Sequence, residues 1–267
     1  MGFSSAFVVS NRKKPAARQL HAGVVSFLKS RGIKIAGSRG KPSLVVTIGG
    51  DGTVLCNKRH YGVPFFAIGS MTSFFCQARF SNWRQKLSRI LAFPSTEGRL
   101  LLEAKLDGKK LPLALNEAGI RNPEPRVLSI HLSCGRRHYA FRADGIFFST
   151  PTGSPAYCYS CGGSQMPRKE LRYQAVALSP FRRLFAPKTF PAGRVCTLRI
   201  SGCEKAQIFI DGQPAGAFTS KNTLRVKGAR LRFLFAKQGQ SGPPVPLAKK
   251  HPQAERRVVR PHLLFLA

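Results

Sequence analysis

The amino-acid sequence predicts an α/β domain with an open, mostly parallel sheet, followed by a β-rich domain. Two patterns of predicted secondary structure along the chain support this prediction. As far as residue 99, apolar strand-like runs alternate with helical patterns, which favours a parallel sheet. From residue 100 onward, short strand-like runs follow one another with turns between them, which favours a sheet-rich unit. We therefore expect an α/β domain at 1–99, a β-rich domain at 100–236, and a basic linker and tail at 237–267.

The first domain is expected to start with a strand at 7–9 and a basic turn, Ser10-Asn11-Arg12-Lys13-Lys14, that ends in Pro15. Proline suits the first turn of a helix, and apolar residues then recur at helical spacing until Gly32. The remaining strands are expected at 33–35, 43–48 and 63–69, and a second helix at 83–93, ended by a break at 94–98.

The second domain is expected to contain nine short strands. They fall at 100–106, 111–116, 127–132, 139–142, 145–149, 197–201, 206–210, 224–226 and 231–235. Arginine and lysine residues interrupt the apolar residues between 224 and 235, so a pair of strands there could expose one cationic face. A linker rich in glycine and proline follows from residue 239, and 249–267 form a basic tail.

The charge of the chain is extreme. There are 44 Lys and Arg residues against 11 Asp and Glu residues, which gives a formal net charge of +33. Such a field attracts polyanions and makes their binding depend steeply on salt. We expect a polyanion as a partner, with structured RNA first, although no RNP-type motif with interleaved aromatic residues is present.

Seven cysteines, an odd number spread along the chain, predict no disulfide framework and suit a reducing compartment. Cys158 and Cys161 form a CxxC pair without a second close pair or a nearby pair of histidines. We interpret them as two small residues on one helical turn and expect no metal site made by the protein alone. No apolar run reaches the roughly 18 residues that span a bilayer, and because residues 1–6 do not have the charge order of a signal peptide, none is expected.

The stretch 45–55 concentrates the residues that point to chemistry. A β-branched apolar run stops at Gly49-Gly50-Asp51-Gly52-Thr53, which reads as a buried strand, a tight loop and the start of a helix. Glycines let the backbone approach a phosphate closely. A carboxylate there would repel phosphate unless it holds a cation or takes a proton from a hydroxyl, so Asp51 indicates phosphoryl transfer. The alternative is a strand, a glycine turn and an aspartate helix cap.

Three further stretches carry polar residues at the ends of predicted strands. Asn116-Glu117 could recognise donors and acceptors on a base or ribose. The run from Asp144 to Tyr157 passes from an acid through a strand into a hydroxyl-rich turn, where Ser154 and Pro155 suit the start of a helix. Asp211-Gly212-Gln213 looks like a strand ending in a turn. Each stretch alone also fits an ordinary edge pair, capped turn or hairpin.

Together these motifs resemble the NAD kinase family, whose pattern has GGDGT in a first domain and NE, DG…STPTGSTAY and DGQ in a second. The resemblance extends over roughly residues 7–218, in order and with similar spacing. GGDGT alone would also fit diacylglycerol and sphingosine kinases. The run 149–154, Ser-Thr-Pro-Thr-Gly-Ser, separates this chain from them.

The resemblance implies a role for each motif. Asp51 would activate the 2'-hydroxyl of the adenosine ribose of NAD, and Mg²⁺ would accompany the ATP phosphates. The residues implied to hold phosphate are Gly49, Gly50, Gly52 and Thr53. The residues implied to hold NAD are Asn116, Glu117, Asp144, Ser154, Ala156, Tyr157, Asp211 and Gln213.

The chain also departs from the family pattern. Gly69 to Phe75 replaces a second glycine-rich segment, Pro155 replaces a threonine, and Met166 stands where the family has histidine. The first hypothesis is therefore an ATP-dependent NAD kinase of the cytoplasm. The alternative is a catalytically impaired relative that serves as an RNA-binding component of a ribonucleoprotein such as a ribosome, in an organellar matrix. A lipid kinase attracted to anionic membranes is a third hypothesis, and a homo-oligomer stays open.

Overall fold

The computed structural model describes residues 2–37, 39–124, 127–202 and 205–239. Most of the predicted linker and tail, including 249–267, lies outside the described residues. The first part of the chain alternates strands with helices. Its elements are β1 (Ser5–Ser10), α1 (Pro15–Ser30), β2 (Lys34–Ile35), β3 (Leu44–Ile48), α2 (Asp51–Cys56), a 3₁₀ helix (Lys58–His60), β4 (Phe65–Gly69), β5 (Ala78–Arg79) and α3 (Trp83–Ala92).

The rest of the described chain consists mostly of strands. Its elements are β6 (Pro94–Leu106), β7 (Lys109–Lys110), β8 (Glu117–Arg121), β9 (Leu128–Cys134), β10 (Arg137–Ala143), β11 (Gly145–Ser149), α4 (Tyr157–Ser160), β12 (Arg172–Leu178), a 3₁₀ helix (Phe181–Arg183), β13 (Lys188–Pro191), β14 (Cys196–Ser201), β15 (Ala206–Ile210), β16 (Gln213–Phe218) and β17 (Leu224–Gln238).

The strands of the first domain pair in parallel, as the sequence predicts. Val8 in β1 lies opposite Val46 in β3, and Val46 lies opposite Phe66 in β4. Every residue of β3 and β4 is buried, because both faces of these strands are covered. Helices α1 and α3 cover one face, where Phe27 meets Trp83 edge to face with ring centroids 5.6 Å apart.

Strand β17 joins the two domains in one eleven-stranded sheet. The main path of this sheet is β10-β9-β14-β17-β4-β3-β1-β2, with β5 beside β4, and with β6 beside β17 and β7 beside β6. Phe235 in β17 pairs in parallel with Phe65 in β4, whereas β6 and β14 pair with β17 in antiparallel fashion. The parallel half of the sheet therefore continues directly into the antiparallel half.

The second sheet is antiparallel and has the order β13-β12-β11-β8-β15-β16. It packs on the antiparallel half of the first sheet over a shared core, which includes Ile120, Phe148, Leu198 and Phe218. The α/β domain followed by a β-rich domain is thus confirmed. The exact limits at residues 99 and 236 stay a prediction, because β6 and β17 run across both. Among the described residues, no helix combines the length and hydropathy needed to span a membrane.

Three local expectations about strands were wrong. The stretch 94–98 is not a break: it is the start of β6, and Pro94 is tolerated there because it is the first residue of the strand. Residues 111–116 form only an isolated bridge, between Ala114 and Leu102, and a strand begins at Glu117. The runs 224–226 and 231–235 are one strand, interrupted by a bulge between Gly228 and Arg232.

The expected helix start at Ser154 was also wrong. Helix α4 begins at Tyr157, with Ala156 in the capping position. The Ser154 hydroxyl instead donates to the Pro151 carbonyl oxygen at 2.9 Å and accepts from the Met166 amide at 2.8 Å. Ser154 thus joins two loops rather than capping a helix.

One pair of cysteines corrects the expectation from their number and spacing. Cys134 and Cys196 are register partners on β9 and β14, with Cα atoms 4.3 Å apart, and they form a disulfide. Their separation of 62 residues hides this contact in the sequence. Cys56, Cys76, Cys158 and Cys161 are free among the described cysteines.

The junction at β17 generates a stability prediction. Phe233 is fully buried, and its ring lies 4.6 Å from that of Phe65. Phe233→Ala should reduce the free energy of unfolding by about 3–5 kcal/mol because it leaves a cavity between the domains. Leu231→Ala in the same strand is the control, since Leu231 is 52% exposed, and it should change the value by less than about 0.5 kcal/mol. Urea unfolding of both variants measures this; equal losses would contradict it.

Candidate functional site

The glycine loop lies where two parallel strands end side by side. Gly49 and Gly50 follow β3 with φ angles of 154° and 139°, a region that residues with a side chain rarely adopt. A Cβ on Gly49 would lie 2.5 Å from Thr53 Oγ1 and 2.7 Å from Asn11 Cβ. The turn therefore requires glycine, and the Thr53 side chain packs beneath it.

Lys14 adds a cation to this loop, and sequence reasoning missed it. Its Nζ donates to the Gly49 carbonyl oxygen at 3.0 Å and lies 3.6 Å from where a Cβ on Gly50 would be. The sequence placed Lys14 in the basic turn before Pro15 but gave no sign that this turn lies beside the glycine loop. Lys14 brings positive charge to a backbone cradle of the kind that suits an anion.

Asp51 is the first residue of α2, and its carboxylate is bound to a second loop. Oδ2 accepts from the Phe74 amide at 2.8 Å, and Oδ1 accepts from the Phe75 amide at 3.0 Å. The alternative of an aspartate helix cap is not what forms, because Gly50 occupies the capping position. A carboxylate has about four acceptor positions, so each oxygen of Asp51 can accept a further hydrogen bond.

A cleft of about 540 Å³ opens between the first domain and the loops of the second. One wall is the segment 73–77, which includes the two residues that hold Asp51. Phe74, Phe75 and Pro155 line the cleft and leave it open. Its other lining residues include four cations, Lys86, Arg99, Arg168 and Lys237, and one acid, Glu97, which pairs with Arg99 at 2.7 Å. The cleft therefore has a basic wall next to the loop that anchors Asp51.

Asp211 is bound by the backbone ahead of β8 and by a lysine of the first domain. Its carboxylate accepts from the amides of Leu115, Asn116 and Glu117 at 2.9, 2.7 and 3.1 Å. Lys58 Nζ donates to Oδ2 at 2.6 Å. Lys58 and Asp211 lie 153 residues apart, so no local pattern could have revealed this pair. Asp211 thus fixes the position of Asn116 and Glu117.

Three buried polar atoms near this cluster have no hydrogen-bond partner among the described residues. They are Asn116 Oδ1, Glu117 Oε2 and Thr152 Oγ1, and Thr152 also lines the cleft. Buried polar atoms are normally satisfied, so unpartnered ones mark a place where a ligand could supply the bonds. The pKa of Glu117 is raised to about 8: burial raises it most, the nearby Asp211 carboxylate also raises it, and Lys58 opposes both.

The remaining predicted site residues spread along the second sheet. Ser149 pairs with Glu117, whereas Gly145 at the other end of β11 pairs with Arg121. Asp144 therefore lies about 16 Å along the strand from the level of Glu117. Tyr157 packs edge to face on Phe147, at 5.7 Å between ring centroids, and keeps 43% of its surface exposed. Ala156 is half-buried and Gln213 is exposed at the start of β16.

The structure thus brings together one group of predicted residues and leaves others apart. Asn116, Glu117 and Asp211 form one cluster, and Ser154 lines the cleft. The Asp51 carboxylate accepts a hydrogen bond from Phe74, a residue of the cleft wall. Asp144, Tyr157 and Gln213 lie outside this group. Thr152, which sequence reasoning did not single out, could have been found within the hydroxyl-rich run 149–154.

Comparisons with known proteins agree with this architecture. Residues 115–237 match the family model of the ATP-NAD kinase C-terminal domain. An NAD kinase of Methanospirillum hungatei is 30% identical over 206 residues, covering 75% of this chain and 76% of that protein. An NAD kinase of Nitratidesulfovibrio vulgaris is 32% identical over 212 residues, covering 74% and 71%.

Two solved structures share the fold. A yeast NADH kinase complexed with NADH aligns with a TM-score of 0.79 at 16% identity, covering 90% of this chain and 84% of that one. An NAD kinase from Archaeoglobus fulgidus in complex with ATP aligns with a TM-score of 0.74 at 20% identity, covering 88% and 94%. At these identities the likeness shows the fold.

The burial of Glu117 generates a prediction for the dependence of stability on pH. Below about pH 4.5 this carboxyl is neutral in both the folded and the unfolded state. As the pH rises toward 8, the unfolded chain loses the proton while the folded protein keeps it, so the free energy of unfolding falls. Glu117→Gln cannot ionise, so relative to the native chain it should gain about 2–5 kcal/mol between pH 5 and pH 9.

Urea unfolding of both proteins across that pH range measures the difference. Glu124→Gln is the control, because Glu124 is exposed, and its difference from the native chain should not change with pH. A difference between Glu117→Gln and the native chain that also stays constant with pH would contradict the prediction.

Proposed function

This chain belongs to the NAD kinase family, and from that premise we propose that it is an ATP-dependent NAD kinase. It would transfer the γ-phosphate of ATP to the 2'-hydroxyl of the adenosine ribose of NAD, giving NADP and ADP. The observation that supports this activity most directly is the Asp51 carboxylate. It follows a glycine loop and is held by the wall of a cleft between the domains.

The glycine loop would bind the phosphates of ATP. Gly49, Gly50 and Gly52 offer backbone with no side chain in the way, and Lys14 supplies positive charge at the rim. The basic wall of the cleft attracts the polyphosphate as well. Thr53 supports the loop from beneath by packing against Gly49. These groups would hold ATP with its terminal phosphate near Asp51.

The buried polar groups of the second domain would bind NAD. Asn116 Oδ1 and Thr152 Oγ1 have free capacity for hydrogen bonds to ribose hydroxyls. Because its pKa is raised to about 8, Glu117 is a neutral carboxyl at pH 7 and can donate one hydrogen bond as well as accept one. Asp211 acts as a positioning residue, since its carboxylate is occupied by three amides and Lys58.

In the chemical step, Asp51 takes the proton of the 2'-hydroxyl as that oxygen attacks the γ-phosphorus. The new bond between oxygen and phosphorus forms as the bond to the leaving ADP breaks, so one proton and one phosphoryl group are transferred. The amides of Phe74 and Phe75 keep the carboxylate from turning away. A positioned base of this kind contributes about 10²–10⁴-fold to rate.

Magnesium would arrive with ATP, and Asp51 is the carboxylate within the loop 49–53 that could contact it. Magnesium typically binds through one or two carboxylates together with substrate phosphates. When bound, the ion would neutralise charge on the ATP phosphates.

A catalytically impaired member of a ribonucleoprotein remains the alternative, in an organellar matrix rather than the cytoplasm. It rests on the net charge of +33 and on the altered loop 69–75. That loop nevertheless retains two amides that bind Asp51, and Pro155 leaves the cleft open. The geometry therefore favours the kinase.

The first test of this activity is Asp51→Asn. Asparagine keeps the size of the side chain but cannot take up the proton, so NADP formation from NAD, ATP and Mg²⁺ should fall by about 10²–10⁴-fold. Asp107→Asn is the matched control, because Asp107 is exposed in the turn between β6 and β7, and its activity should equal that of the native chain. No NADP from the native chain would refute the activity, and full activity of Asp51→Asn would refute the role of Asp51.

The second test concerns the glycine loop. Gly50→Ala places a Cβ atom 3.2 Å from Ser73 Oγ. The φ angle of 139° there is one that alanine rarely adopts, which costs about 1–3 kcal/mol of backbone strain. The KM for ATP should rise as the loop adjusts. Gly23→Ala is the control, because no atom lies within 4 Å of the added methyl group in α1, and its KM should not change. An unchanged KM in Gly50→Ala would show that the loop does not bind ATP.

A further inference from the structure

The antiparallel half of the larger sheet carries an exposed face that the proposed kinase activity does not use. On β10, β9, β14, β17, β6 and β7, alternate residues point away from the core that the two sheets share. We call this surface the basic face. Its outward side chains are exposed or half-buried, whereas those that alternate with them, such as Phe141, Leu198 and Val226, are buried.

Strand register aligns the outward residues in a row across six strands. Successive register partners are His138, Ser133, Thr197, Arg225, Lys105 and Lys110. Neighbouring strands lie about 4.8 Å apart, so this row extends roughly 24 Å. Adjacent rows add Arg199 beside His131, and Arg142 beside Ser129. Cations and hydroxyl groups therefore lie side by side on one face of the sheet.

The cations of this face have few carboxylate partners. The described acids on these strands are Glu97 and Glu103, both on β6. Glu97 pairs with Arg99 at 2.7 Å, and Glu103 pairs with Lys105 at 3.7 Å and with Lys227 at 3.8 Å. Arg199 donates from Nε to Thr223 Oγ1 at 3.1 Å, and Arg142 lies over the Phe181 ring. No ion pair within the described part of the chain neutralises Arg142, Arg199, Arg225 or Lys110.

The positive charge continues around the turn between β9 and β10. There Arg136, Arg137, Arg172 and Arg194 line a groove of about 470 Å³. Of these four, Arg172 has a carboxylate partner within the described residues, Glu170 at 3.4 Å. Guanidinium groups bind phosphate with two parallel hydrogen bonds, so a groove with several arginines favours phosphate groups.

The chemistry of the basic face selects one class of partner. Apart from Ala140, the outward residues of its rows are polar, and Tyr139 and Phe141 instead pack inward against Phe185. The rows themselves carry no aromatic ring on which a single-stranded base could stack and no large apolar side chain to insert into a membrane; the exposed Phe181 and Leu231 lie outside the rows, and the Phe181 ring is covered by Arg142. Cations interleaved with hydroxyls suit phosphates and 2'-hydroxyls, which a double-stranded RNA presents across its wide, shallow minor groove.

We propose that the basic face binds the sugar-phosphate backbone of double-stranded RNA without reading its sequence. The contacts are ionic and hydrogen-bonding, from arginine, lysine, histidine, serine and threonine side chains on one rigid sheet. The site is separate from the cleft, so binding there does not depend on the proposed kinase activity. Counterions released from the phosphates make the affinity fall steeply as salt rises.

The test compares two variants of the full chain that lose equal charge. Arg142, Arg199 and Arg225 are changed to glutamine in the face variant. Arg18, Lys29 and Lys34, exposed on α1 and β2 at the opposite edge of the large sheet, are changed to glutamine in the control variant. Binding to a 20-base-pair RNA of arbitrary sequence is measured by fluorescence anisotropy from 50 to 300 mM KCl.

The face variant should bind at least about tenfold more weakly at low salt. Its slope of log affinity against log salt should be shallower by about two to three, one for each lost phosphate contact. The control variant should match the native chain, and both variants should keep the far-ultraviolet circular dichroism of the native chain. NADP formation by the face variant should also equal that of the native chain.

Other results would overturn the proposal. Equal loss in the two variants would mean that general charge, not this face, binds the RNA. Binding of a DNA duplex of the same length, or of a single-stranded RNA, as tightly as the RNA duplex would refute the assignment to double-stranded RNA. Binding to phosphatidylserine vesicles with no binding to the RNA duplex would assign the face to membranes instead.

Discussion

The relative position of the two domains at the site depends on one buried carboxylate. Asp211 follows β15, and its two oxygens accept three consecutive amides that lead into β8. Removal of this carboxylate would leave those buried amides without a partner, and buried unsatisfied donors are costly. Lys58 reaches it from the first domain, so the same charge that organises the second sheet also fixes it against α2 and the following 3₁₀ helix. A buried charge is tolerated only when it is paired and hydrogen-bonded in this way.

The same carboxylate shapes the chemistry beside it. Glu117 is held within the field of Asp211, so two acidic groups share a buried region with one lysine. Because the pKa of Glu117 is raised to about 8, this carboxyl keeps its proton at neutral pH, and the cluster presents it together with amide and hydroxyl atoms that have no partner among the described residues. Such a site can discriminate among ligands through hydrogen bonds that it cannot satisfy alone. Meanwhile, Asp51 lies at a different loop, where backbone amides orient it.

Local patterns predicted what local chemistry determines. Hydrophobic spacing predicts the parallel strands of the first domain and the alternation of apolar and polar residues along the strands of the second domain. Glycine residues, which tolerate positive φ, predict the loop after β3. The sequence could not reveal the junction of Phe235 with Phe65, the disulfide between Cys134 and Cys196, or the contact of Lys58 with Asp211. Each depends on register or on chain paths that separate the partners by many residues. For the same reason, the motif assigned Asp211 to ligand binding without showing that its carboxylate also holds the amides of Leu115, Asn116 and Glu117 and the Lys58 ammonium group.

The charge of the chain acts on the two surfaces in different ways. ATP and NAD are themselves anions, so the field of 44 basic residues would favour their approach to the cleft and make the kinase reaction depend on salt. A salt dependence alone therefore does not reveal a polyanion partner. What separates the two surfaces is geometry: the cleft combines its cations with a concave site and unpartnered buried atoms, as a small ligand requires. The basic face lies across several strands of a sheet, and its cations are spread over neighbouring strands, so an extended anion can contact several of them at once.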